Sequence, residues 1–158
     1  MGYLAKDMLD YAKGREIFQG LQYYIVELNR HLMERQSENL AEYSDKIKWF
    51  SSLREIPPQR GCVISNELLD SFPVHIIEFT SRGAEEIYVT TDGEELYETK
   101  GPLSEGITEY LKEFSICLPE GFRTEINLRI RDWLKEISEI LREGFLITID
   151  YGYPAWQY

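Results

Sequence analysis

The hydrophobic pattern of the chain switches between helical spacing and short unbroken runs. Leu4, Ala5, Met8, Leu9 and Ala12, with Tyr11, recur at the helical period and Gly14 supplies a stop, which predicts a helix starting almost at residue 1. Residues 21–28, LQYYIVEL, are rich in Tyr, Ile and Val and predict a buried strand that delivers Glu27 and Leu28 at its exit. Asn29 can cap the next helix, on which Leu32, Met33, Gln36, Leu40 and Tyr43 fall on one side. Residues 46–50, KIKWF, predict another short strand with Ser51, Ser52 and Leu53 at its end, and residues 57–60, PPQR, read as a connection. Cys62-Val63-Ile64 is too short and too β-branched for a helix and predicts a buried strand of a parallel sheet.

That strand stops on Ser65, Asn66 and Glu67, and packing resumes at Leu68, Leu69, Phe72 and Val74, with Pro73 ending the helical turn that Asn66 starts. Beyond Val74 the pattern alternates, at residues 76–79, 87–91 and 94–98, and Asp92-Gly93 between the last two signals a two-residue hairpin. With a helix over residues 103–114, these segments predict an antiparallel insertion at about 76–118. A longer helical stripe, Ile126, Ile130, Trp133, Leu134, Ile137, Ile140 and Leu141, runs from about Thr124, with Gly144 past its end. Residues 145–149, FLITI, predict a last buried strand leading to Asp150 and Tyr151. Buried runs alternating with helices indicate an α/β fold, a doubly wound sheet carrying a hairpin insertion.

Composition narrows the function classes. A chain of 158 residues that is 43% hydrophobic suffices for one compact domain with a core. A net charge of −11, from 28 acidic against 17 basic residues, argues against nucleic acid and against an anionic membrane surface as partner. Cys62 and Cys117 lie far apart and read as reduced, packed thiols of a cytoplasmic protein. Two Cys and two His at scattered positions give no metal spacing, and neither a signal peptide nor a bilayer-length apolar stretch is seen.

In open α/β sheets ligands sit beyond the carboxyl ends of the strands, which singles out three strand exits. Asn66 and Glu67 occupy one; a packing-only reading makes Asn66 a cap and Glu67 a first-turn carboxylate favoured by the helix dipole. Glu27 occupies another. In nucleoside-binding βαβ units an acid about 20 residues after a glycine-rich turn accepts hydrogen bonds from ribose hydroxyls. Gly2 would be the last glycine of such a turn, and an exposed strand-end carboxylate is the competing reading of Glu27. Ser52 and Leu53 would share that crevice if the strands are parallel.

Taken together, ISNELLDSFPVH (64–75), the VEL strand end (26–28), TEIN (124–127) and ITIDYGY (147–153) resemble the MidA-like family of S-adenosylmethionine-dependent methyltransferases, which includes mitochondrial complex I assembly factors. The resemblance implies a Rossmann-like class I methyltransferase fold with S-adenosyl-L-methionine as cofactor. Glu27, with Gly2, Leu28, Ser52, Leu53 and Asn66, then matches the cofactor side; Asn66, Glu67 and Asp70 match the catalytic positions. Glu125, Asn127, Asp150 and Tyr151 are candidates for binding the substrate, and His75 is a further one whose packing-only reading is a surface or core imidazole. By family analogy the methyl acceptor is a protein arginine side chain. The family's first strand and G-x-G-x-G turn have no counterpart ahead of Gly2, and its final strands none after Asp150, so the chain reads as a partial domain of residues 1–158 truncated at both ends. Loss of the first strand would expose two sheet edges, to be met by direct pairing of the Glu27 and Ile64 strands or by a second copy of the chain. The rival classes are a non-catalytic assembly module that keeps the fold and a nicotinamide-dependent oxidoreductase, which would use the same ribose acid.

Overall fold

The elements are those of a computed structural model that describes residues 2–153. Helix α1 (Tyr3–Ala12) follows Gly2, whose φ of 77° suits glycine, and a Cβ there would stand 3.0 Å from Leu40 Cδ1. It buries Ala5, Leu9 and Ala12. A four-residue helix α2 (Ile17–Gly20), which the pattern does not signal, leads into β1 (Tyr23–Val26). Helix α3 (Arg30–Asn39) comes next, capped by Asn29 Oδ1, which accepts from the backbone N of His31 at 3.0 Å and of Leu32 at 3.3 Å. Tyr43 lies in a separate 3-10 turn, Ala41–Tyr43. Strand β2 (Ile47–Phe50) then pairs parallel with β1, Tyr23 opposite Ile47 and Val26 opposite Phe50, which completes a βαβ unit. Its core is Ala5, Leu9, Leu40, Tyr43 and Ile47.

Strand β3 (Gln59–Asn66) is longer than the apolar run at 62–64 and ends before a 3-10 turn, Leu69–Ser71, rather than a helix begun by Asn66. Strands β4 (His75–Thr80), β5 (Gly83–Thr91) and β6 (Leu96–Gly101) follow, then α4 (Glu105–Glu113), β7 (Arg123–Ile126), α5 (Arg129–Ile140) and β8 (Leu141–Ile149). The antiparallel sheet has the order β6-β5-β4-β7, and its core with α4 is Ile77, Phe79, Ile107 and Ile126.

Three sequence expectations change here. Thr124 is in β7, not at the start of the long helix; residues 124–126 alternate in exposure as a strand does, and α5 starts at Arg129. Leu141 and Gly144 belong to β8, so Gly144 is not a helix stop. The β5–β6 loop has four residues, since Thr91 pairs with Leu96; Asp92 Oδ1 accepts from the backbone N of both Glu94 and Glu95 at 3.0 Å and replaces the two-residue turn.

The chain divides into two compact units. The first takes in the described residues up to Gly61 with Glu136–Gly144, the second Cys62–Lys135 with the described residues from Phe145. Among the described residues β1 hydrogen-bonds only to β2 and β3 only to β8, so the strands of Glu27 and Ile64 do not pair with each other. Two-strand ladders bury little, and the segments predicted as buried strands are open: Phe145 is 74% exposed and Ile149 54%. Cys62 and Cys117 are likewise exposed free thiols rather than packed ones. No described helix is long and apolar enough to cross a membrane.

Candidate functional site

In the first unit the parallel register of β1 and β2 brings Glu27 and Ser51 to the same strand end, where the Glu27 backbone N donates to Phe50 O at 3.0 Å. The Glu27 carboxylate is held on both oxygens. Oε1 accepts from the Asn29 backbone N at 2.9 Å, and Oε2 accepts from Gln36 Nε2 at 3.0 Å. Gln36 is a buried polar residue on α3, and its Oε1 accepts from Trp49 Nε1 at 3.3 Å. A glutamine within an apolar stripe is the sequence signal for this residue, which pattern reading counted only as part of a helix face. Gly2 packs its backbone over the same helix, with Gln36 Cβ 3.7 Å from where a Cβ of residue 2 would stand. Leu28 is exposed at the strand exit. Ser52 caps the 3-10 turn Leu53–Glu55, its Oγ accepting from Arg54 N at 3.2 Å, and Leu53 is half-buried. Gly2, Glu27, Leu28, Ser52 and Leu53 therefore all lie in the first unit.

Asn66 closes β3 in the second unit. Glu67 follows with φ 47°, a left-handed conformation uncommon outside glycine, while its backbone N donates to Ile149 O at 2.8 Å. The exit of β8 then folds onto the turn after β3. Asp150 Oδ2 accepts from Leu69 N at 3.0 Å, which is the capping role that sequence gives to Asn66, and Asp150 Oδ1 accepts from Tyr151 N at 3.0 Å. Tyr151 donates its hydroxyl to Asp70 Oδ2 at 2.7 Å, and Asn127 Nδ2 donates to Leu69 O at 3.1 Å. Asp70, Asn127, Asp150 and Tyr151 thus form one bonded cluster from three separated stretches of chain, with Asn66 and Glu67 at its edge. The Tyr151 phenol is pushed up, first by its bond to Asp70, then by that charge, by burial and by the charges of Asp150 and Glu67. Glu125 is exposed in β7, on the other strand face from buried Ile126, and is not among the residues of this cluster.

His75 has a partner that sequence did not supply. Its Nδ1 lies 2.6 Å from Oε1 of Glu86, which is 3% exposed. Glu86 Oε2 accepts from Ser104 N and Oγ, both at 2.7 Å, and from Tyr88 OH at 3.1 Å. Burial alone would raise the Glu86 carboxyl, but the His75, Ser104 and Tyr88 donors outweigh it and hold the group down at about 2. Among the described residues no group of three or more His, Cys, Asp or Glu side chains could hold a metal ion.

Residues 1–158 match the family described as "Putative S-adenosyl-L-methionine-dependent methyltransferase". The chain belongs to this family. Two solved structures from Burkholderia thailandensis are similar to it. One, a methyl transferase candidate bound to S-adenosyl-homocysteine, is 26% identical with a TM-score of 0.80, over 99% of this chain and 41% of that one. The other, an uncharacterized protein, is 27% identical with a TM-score of 0.73, over 87% of this chain and 37% of that one. The chain therefore spans about two fifths of the length of the solved relatives it matches. No curated protein matches it. The α/β fold expected from the pattern, of the methyltransferase type that the resemblance implies, is the fold of this family member, with the antiparallel strands inserted in it.

Proposed function

We propose that the chain contributes to an S-adenosyl-L-methionine-dependent methyltransferase whose methyl acceptor is a protein side chain, an arginine guanidinium. The observation that carries the cofactor half of this reading is the Glu27 carboxylate, fixed at a strand exit by Asn29 N and Gln36 Nε2 with further lone pairs open. A carboxylate held so accepts hydrogen bonds from ribose hydroxyls. Family membership and the S-adenosyl-homocysteine in the relative of 0.80 TM-score support the same choice of cofactor.

When bound, S-adenosylmethionine supplies an electrophilic methyl on its sulfonium sulfur. The chain's own part is to orient the acceptor. Glu67, held in a left-handed conformation, and Asn66 present a carboxylate and an amide. A carboxylate bonded to a guanidinium positions the acceptor nitrogen and offsets its charge. Asp70 and Asp150, with Tyr151 between them in the cluster, add negative charge suited to a cationic side chain.

Calorimetric titration with S-adenosylmethionine and S-adenosylhomocysteine tests the reading. The parent chain is expected to bind saturably, and Glu27→Ala, checked by thermal melting to be folded, is expected to lose about 2 kcal/mol through the missing charged acceptor. A folded parent that binds neither ligand would favour the non-catalytic assembly module instead.

A further inference from the structure

We infer that Gln36 is the positioning residue for the ribose acid, fixing the Glu27 carboxylate through an oriented relay from Trp49; the inference rests on the cofactor reading proposed above. The relay has one polarity. An indole N–H can only donate and a carboxylate can only accept, so the Gln36 amide satisfies both neighbours in a single orientation, Oε1 to Trp49 and Nε2 to Glu27. Gln36 is 8% exposed, so water does not readily replace either bond. Of its two partners Trp49 lies in β2 and Glu27 directly follows β1, two strands paired in register. Asn29, whose side chain caps α3, holds the other carboxylate oxygen through its backbone N.

This matters for recognition because a glutamate is otherwise loosely aimed. Its last torsion is broad and it has two rotors before that. A free carboxylate would lose that freedom on meeting a ligand, whereas one already held on each oxygen has little of it left to lose. Gln36 thereby acts on the ligand without touching it. Leu40, the C-cap of α3 one turn beyond Gln36, would stand 3.0 Å from a Cβ at Gly2, so the same end of the helix lies beside both the acid and the glycine.

The test is a thermodynamic cycle between residue 36 and the ribose hydroxyls. Binding of S-adenosylhomocysteine and of its 2′,3′-dideoxy analogue is measured for the parent chain and for Gln36→Met, which keeps the length and apolar contacts but has no amide. The parent is expected to prefer the natural ligand by about 30-fold, and the variant by only about threefold. A folded variant in which both affinities fall equally, leaving the preference intact, would overturn the inference and make Gln36 a purely structural residue. If Gln36→Met does not fold, Trp49→Phe carries the same test: it leaves the amide but removes what orients it, so a reduced preference supports the relay and an unchanged one overturns it. A parent that binds neither ligand overturns the cofactor reading itself, and one that binds both equally removes Glu27 from the ribose. These failures differ from failure of the relay, where the parent discriminates and the variant discriminates just as well.

Discussion

At Gly144 a single missing side chain decides whether two strands can meet. Its φ is +140°, and a Cβ there would stand 1.8 Å from the backbone oxygen of Gly61, an atom that cannot swing aside. Gly144→Ala is therefore expected to destabilise the chain by at least about 3 kcal/mol in urea melts, among the large values reserved for strained backbone and overpacking. Gly61→Ala is the control, because nothing lies within 4 Å of its built Cβ and its φ is not positive. A Gly144→Ala variant as stable as the parent would show that the two strands separate readily there. The sequence drew attention to Gly144 for another reason, as a helix stop, because the constraint comes from a residue 83 positions earlier and has no local signature. Glu27 and Glu67 were legible as acids at strand exits. The partners that hold them, Gln36 from the next helix and Ile149 O from the last strand, were not.

The same division holds for whole elements. The βαβ unit from β1 to β2, the Asn29 cap and the antiparallel strands were legible, since each rests on local spacing or on one capping side chain. The boundary between β7 and α5 was not, because Ile126 and Ile130 fall four residues apart whether or not one helix carries both. Nor was the cap on the turn after β3, which Asp150 supplies from the other end of the second unit. Strands β4 and β5 and the start of α4 meet at Glu86, whose carboxylate bonds acid removes. The folded carboxyl is held at about 2 against an ordinary 4.5, so its contribution to stability is fully present above about pH 4.5 and is lost as pH falls toward 2. Glu86→Gln is expected to cost about 3 kcal/mol at pH 7, since His75 and Ser104 lose their charged acceptor, and to flatten the stability profile below pH 4.5. Chemical denaturation between pH 2 and 7 measures both. A variant with the parent's acid profile would mean that other carboxylates govern the transition.

Over the whole molecule the sequence pattern named the fold class because helices and strands alternate, yet it overestimated burial. Runs such as FLITI look like interior strands of a wide parallel sheet, whereas β3 and β8 form a two-strand ladder, with Leu28 elsewhere 83% exposed and Phe145 74%. On a chain of net charge −11, repulsion at pH 7 opposes association through these exposed apolar side chains. That repulsion vanishes near the isoelectric point of 4.7, where Glu86 is still ionised and the antiparallel sheet keeps its buried carboxylate bonds. Association and unfolding should therefore separate along the pH axis. Light scattering is expected to rise as pH approaches 4.7 with near-ultraviolet circular dichroism retained, to reverse on return to pH 7, and to be followed by loss of that dichroism only nearer pH 2. Scattering that stays flat through pH 4.7 would show that these side chains do not drive association, while scattering that rises together with loss of dichroism would show that the fold fails before Glu86 titrates.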